Sequence, residues 1–165
     1  MEFRPRRALA LLAERGVAFV VVGGIAAAMR GSLRETTDLD VLVDRSPENL
    51  TRLAAVLTEL EARVKGSPRP PMPIDPSILM GMELITFDTI VGEVDILEVG
   101  KGEWTYERVV GGAENVEIAG EMVRLISIED LIAMKRAAGR PKDVETADEL
   151  EALKRLEGKE FTVEP

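Results

Sequence analysis

Apolar positions along the chain fall into two alternating rhythms. Over 5–15, Leu and Ala recur at helical spacing and stop at Gly16, which predicts a short first helix. "VAFVVV" (17–22) is a continuous apolar run bounded by glycine, the mark of a buried strand. "GGIAAAMRG" then predicts a turn and a short helix of small residues. In "TDLDVLV" (37–43) the period returns to two. Leu39, Val41 and Val43 share the core face, and Asp38 and Asp40 share the other.

"SPENLTRLAAVLTELEARV" (46–64) predicts a long helix. Ser46 is at its N-cap, Pro47 at its first position, and Leu50, Leu53, Leu57, Leu60 and Val64 lie along one side. The proline-rich segment 66–77 reads as a loop, and 83–99 as two strands around Gly92. A smaller hairpin is expected over 115–127, turning at Ala119–Gly120. Ser127 and Asp130 open a helix that ends at Gly139. Pro141 opens the last one, with Val144, Ala147, Leu150, Leu153 and Leu156 along it. The expected order is α-β-α-β-α-ββ-β-α-α, an α/β (α+β) plan with helices packed on a small mixed sheet. A single domain over 1–165 is expected, with its core at about 15–100 and a hairpin and two helices over about 114–157.

Composition narrows the chemistry. There is no cysteine and no histidine, so thiol nucleophiles, imidazole bases and Cys/His metal sites are excluded. Carboxylates, Lys, Arg, hydroxyls and backbone groups remain. The net charge of −9 argues against a broad nucleic-acid footprint, although Arg4, Arg6 and Arg7, and Lys135, Arg136, Arg140 and Lys142, form local basic clusters. The longest uncharged run, 16–29, is too short for a membrane span, so the expectation is a cytoplasmic protein without membrane contact.

Against that acidic background the pair Asp38 and Asp40 stands out. Residues two apart on a strand have Cα atoms about 6.6 Å apart. At that range two carboxylates repel by roughly 3 kcal/mol at an effective dielectric of 20. A hard divalent cation reverses the sign, and Mg²⁺ favours one or two carboxylates together with substrate phosphates. An isolated D-x-D is more often a solvated strand end, because so short a pattern is common by chance. Here it follows Gly23 and Gly24, whose small size lets backbone N–H groups approach an anion. A third acid, Asp95, lies between apolar neighbours in "EVDILEV". A dinucleotide-binding unit, with Asp44 on a ribose, is the rival for the glycine turn. "GGIAAA" supplies only the opening of G-x-G-x-x-G, and no Walker A pattern is present.

"GGIAAAMRGSLRETTDLDVLV" resembles the signature of the nucleotidyltransferase superfamily that includes DNA polymerase β. In particular it looks like the small bacterial group of AbiEii-type toxins and lincosamide and aminoglycoside nucleotidyltransferases. The pattern Gly-Gly, helix, Arg-x-Thr-x-Asp-x-Asp reads here as Gly23, Gly24, Arg34, Thr36, Asp38 and Asp40. "VGEVDIL" resembles the third acidic motif and puts Asp95 there. "SIEDLIAMKRAAGRPKDVETADEL" resembles a C-terminal motif carrying Lys135, Arg140, Lys142 and Asp143.

The resemblance implies a polymerase β-like fold and Mg²⁺-dependent transfer of a nucleoside monophosphate from an NTP to an acceptor hydroxyl. It implies two Mg²⁺ ions held by Asp38, Asp40 and Asp95, which are also the catalytic acids. It implies that the nucleotide is held by Gly23, Gly24, Arg34, Thr36, Lys135 and Arg140. ATP is one such nucleotide. The acceptor would be tRNA, protein or a small molecule, and a toxin-like member would have a cognate antitoxin. For Asp143 the residues favour a first-turn helix charge. The alternative is a catalytically silent relative that binds a nucleotide or a partner protein.

Overall fold

Two parallel strand pairings organise the molecule. The structure is a computed structural model that describes residues 2–97 and 104–160. Seven strands form one mixed sheet in the order β3-β4-β5-β2-β1-β7-β6. These are β1 (Phe19–Val22), β2 (Asp38–Val43), β3 (Arg63–Val64), β4 (Leu84–Thr89), β5 (Gly92–Leu97), β6 (Glu114–Ile118) and β7 (Glu121–Leu125). The pairs β2–β5 and β1–β7 are parallel, and the others are antiparallel. All four residues of β1 are buried.

Seven helices complete the described residues: α1 (Pro5–Glu14), α2 (Gly23–Met29), α3 (Pro47–Glu59), α4 (Pro76–Leu79), α5 (Tyr106–Gly112), α6 (Ile128–Ala138) and α7 (Pro141–Glu160). The α/β expectation holds. Leu39, Val41 and Val43 are buried as their alternation requires, while Asp38 and Asp40 are half-buried on the opposite face. Helix α2 packs on β1 and β2 and touches α6, which pairs with α7. The C-terminal helices are thereby brought beside the strand that carries the acids.

Several local expectations change. The helix expected over 46–64 ends at Glu59. Glu61 takes a left-handed φ of 52°, and Arg63–Val64 peel away to pair with β4. Val64 is consequently 42% exposed instead of lining a helix. Cross-strand pairing outweighs helical spacing here, because Leu60 and Ala62 find burial on either side of the bend. The turn expected before α2 is confined to Gly23, whose left-handed φ of 65° leads directly from β1 into the helix. Helix α4 begins inside the segment read as a loop and α5 lies where the sequence pattern predicts no element; the side chains of Asp75 and Thr105 cap them. On α7 only Ala147 and Leu150 of the apolar series are fully buried, and Leu156 is exposed. The expected strand pair over 83–99 is described as far as Leu97, so Glu98 and Val99 lie outside the described residues.

Asn49 fixes α3 to the central strands. This residue is 2% exposed, yet its side chain accepts from Ala18 N (2.7 Å) and donates to Ala18 O (3.0 Å) and Asp44 O (2.8 Å). One amide thus ties the entry to β1 to the exit from β2, the two strands whose pairing carries Asp40. Asn49→Ala leaves these backbone groups without their partners, and a loss of about 3 kcal/mol is expected. Urea unfolding checks this, and a change below about 1 kcal/mol would contradict the assigned role.

Candidate functional site

Register, more than sequence proximity, assembles the acids. In the parallel β2–β5 pair, Asp40 lies opposite Asp95 and Asp38 opposite Glu93. Four carboxylates from two adjacent strands therefore occupy one sheet face. Donor oxygens of Asp38, Glu93 and Asp95 all lie within 4.8 Å of one another. Asp40 is outside that trio but close enough for its charge to couple to Asp38 and Asp95. One oxygen of Asp95, Oδ1, is buried with no hydrogen-bond partner among the described residues. An oxygen-only donor set with a buried, unpartnered carboxylate oxygen fits a hard divalent cation.

The glycines sit where the acids need space. A Cβ on Gly23 would come within 2.1 Å of Asp40 Oδ2, and one on Gly24 within 2.6 Å of Thr36 Oγ1. Gly23 also takes a φ of 65°, which favours glycine. Gly24 lines the cleft, whereas Gly23 serves by clearing room for Asp40. Thr36 turns inward and donates from Oγ1 to the backbone O and Oδ1 of Asp38, both at 3.2 Å. It orients the first acid.

The cleft has a volume of about 430 Å³. Asp38, Asp40 and Asp95 line it together with Arg34, Lys135, Arg140 and Lys142. The cations come from two places. Arg34 lies in the α2–β2 connection and pairs with Glu145 of α7. That connection is gripped again by Glu149, which accepts from Ser32 Oγ and Leu33 N, each at 2.9 Å. Lys135 lies in the last turn of α6, which stops at left-handed Gly139 (φ 69°). The chain then reverses and α7 begins at Pro141, so Lys135, Arg140 and Asp143 converge.

Asp143 is 2% exposed and divides its oxygens between Lys135 Nζ (3.3 Å) and Arg140 Nε (2.5 Å). Burial opposes its ionisation, but the Arg140 hydrogen bond and the Lys135 charge outweigh that and hold its carboxyl below the usual range. Asp143 is thus both a first-turn helix charge and the buried anchor of two cleft-lining cations.

The structure therefore brings together the sequence-derived residues Asp38, Asp40, Asp95, Gly24, Arg34, Thr36, Lys135 and Arg140, with Gly23 just behind Asp40. Sequence reasoning missed Glu93. Its signal was available, because "EVD" repeats the two-residue spacing of "DLD" and puts Glu93 on the face of Asp95.

Concentrating acids has an electrostatic cost. Burial, then the charges of Asp38 and Asp95, push the Asp40 carboxyl up to about 7, with Lys135 pulling the other way. Asp95 is also raised, mainly by burial. A folded-state value above the unfolded one means that the folded protein holds its proton more tightly. This contribution is complete below the unfolded value of 3.8 and is lost as pH rises through about 7. In chelator-treated protein, Asp40→Asn is therefore expected to melt about 5 °C above the parent at about pH 8. The gap should shrink towards pH 5. Scanning calorimetry across that range checks this, and a pH-independent gap would contradict it.

Comparison with known proteins agrees with this arrangement. Residues 7–159 match the model of a family described as "nucleotidyltransferase of unknown function", DUF6036. No curated protein matches the sequence. Among solved structures, the lincosamide antibiotic adenylyltransferase LnuA, in its lincomycin-bound form, superimposes with a TM-score of 0.64 at 12% identity, covering 93% of this chain and 99% of that one. The Thermotoga maritima protein TM1012 gives 0.54 at 18% identity, covering 87% and 88%. The antibiotic-resistance factor ANT(2'')-Ia gives 0.53 at 19% identity, covering 94% and 89%. These likenesses establish a nucleotidyltransferase fold. With the family match spanning nearly the whole chain, they identify it as a member of the DUF6036 nucleotidyltransferases, and so as an enzyme of the nucleotide-transferring type.

Proposed function

We propose that the cleft transfers a nucleoside monophosphate from an NTP to an acceptor hydroxyl with Mg²⁺ as cofactor, and that residues 1–165 act as one nucleotidyltransferase domain. The observation that carries this reading is the meeting of both charges within one cleft of about 430 Å³, lined by strand-borne carboxylates and by Arg34, Lys135, Arg140 and Lys142. A triphosphate complements the cations, and a divalent cation complements the acids. Such transfers depend on positioning and charge stabilisation more than on covalent chemistry by the protein.

Asp38, Asp40 and Asp95 would hold Mg²⁺, with two ions expected. When bound, the metal supplies Lewis-acid stabilisation of the charge that develops on the phosphoryl oxygens. Lys135 and Arg140, oriented by Asp143, would face the phosphates, and Arg34 adds charge from the α2–β2 connection. Gly24 permits close approach of the nucleotide to the start of α2. In the transfer, the acceptor oxygen bonds to the α-phosphorus and the α–β anhydride bond breaks. Pyrophosphate leaves, and the acceptor proton passes to Asp95.

The decisive experiment incubates the purified protein with each α-labelled NTP, Mg²⁺ and a whole-cell extract, and follows label into RNA, protein and small molecules. Transfer that is lost in Asp38→Asn and Asp95→Asn, by at least about 100-fold, is expected. The molecule that carries label identifies the acceptor. Mg²⁺-dependent nucleotide binding without label on any fraction would favour a silent nucleotide-binding relative.

Asp143→Asn tests the phosphate side separately. Removing the anchoring charge should raise KM for the NTP about tenfold with a smaller change in kcat. An unchanged KM would remove Asp143 from the nucleotide site.

A further inference from the structure

Glu93 has no part in the D-x-D and single-acid pattern, yet the fold delivers it to the same place. It lies opposite Asp38 in the parallel register, and its donor oxygen is within 4.8 Å of those of Asp38 and Asp95. Its side chain is 29% exposed and is held by Lys65, whose Nζ lies 2.6 Å from Glu93 Oε2. Lys65 is positioned by its own backbone, since its N–H donates to Thr86 O at 2.9 Å and so continues the β3–β4 pairing by one residue.

We infer that Glu93 is a fourth carboxylate of the divalent-cation seat, and that the Lys65 ammonium is a built-in competitor for it. The inference rests on the Mg²⁺-dependent reading above. Two independent features support it. The Asp38–Glu93–Asp95 trio is the group of donors that the described residues bring within coordination range, and Asp95 Oδ1, buried in the same cluster, has no hydrogen-bond partner among the described residues. Three mutually repelling carboxylates need a counter-charge, and Lys65 supplies one from the edge of the sheet. Its side chain is 56% exposed, so the ion pair is weakly held and readily displaced. A divalent cation carries twice the charge and prefers carboxylate oxygen. Its arrival draws Glu93 from the ammonium, and the free Lys65 then opposes further positive charge at that spot. The pair thus sets how tightly the seat takes its ion. It also sets how far cation binding waits for the negative charge that a triphosphate brings.

Mn²⁺ binding to the full chain without nucleotide, followed by the electron paramagnetic resonance signal of free Mn²⁺, tests this directly. Glu93→Gln should weaken binding at least about tenfold. Lys65→Met, which removes the competitor and leaves every carboxylate in place, should tighten it at least about threefold. Melting curves in chelator confirm that the variants fold. If Glu93→Gln does not fold, the Lys65→Met result decides alone. Affinities within twofold of the parent for Glu93→Gln or for Lys65→Met, with Asp95→Asn clearly impaired, overturn the inference and leave the nucleotidyltransferase reading intact. A parent protein that binds Mn²⁺ neither alone nor with an added NTP overturns both.

Discussion

Everything at the cleft depends on the parallel alignment of β2 on β5. That ladder sets Asp40 against Asp95 and Asp38 against Glu93, and so turns two separate acidic motifs into one negatively charged surface. A one-residue slip of β2 would send Asp38 and Asp40 into the hydrophobic core and bring Leu39 and Val41 out to water, leaving Glu93 and Asp95 without their partners. The apolar residues between the acids, each buried, therefore specify the site as firmly as the acids do. Core packing and charge concentration are two outcomes of the same alternation.

The neighbouring elements look different once that surface is taken as given. Gly23 leaves room for Asp40, and Thr36 steadies Asp38, so two residues that the nucleotide motif suggests for ligand contact first serve the carboxylates. The cationic side is built the same way. Buried Asp143 fixes Lys135 and Arg140 across the bend between α6 and α7. Lys135, Arg140 and Asp38 are thus each held by a neighbouring polar side chain, Asp143 for the two cations and Thr36 for the acid. Such support fixes the orientation of the charged groups before a ligand arrives.

Much of this was legible in the amino-acid order, and the reason is local. Asp38 and Asp40 announce their shared face because strand alternation is fixed by two residues, and Ser46, Ser127 and Gly139 announce helix ends through their own backbone chemistry. What could not be read is what depends on distant pairing. Arg63–Val64 leaves the helical pattern only because β4 offers an edge to join. Glu93 gains significance only when β5 is set beside β2 rather than another strand. The role of Asp143 likewise needs the bend at Gly139 to bring Lys135 within reach. Helices α4 and α5 were hidden by their brevity, since one or two turns leave too few residues to display a period.

The grip of α7 on the α2–β2 connection changes what the last helix is for. Glu145 and Glu149 stand one turn apart and hold Arg34, Ser32 and Leu33, residues more than a hundred positions earlier. A segment that would otherwise be a free loop at the cleft mouth is splinted to a rigid rod. Fraying of α7 from its N-terminal half would therefore slacken both cationic contributions at once, Arg34 through Glu145 and the Lys135–Arg140 pair through Asp143. The helix that sequence order puts last behaves mechanically as the cleft's outer frame, and a ligand that stiffens it would be felt on both sides of the opening.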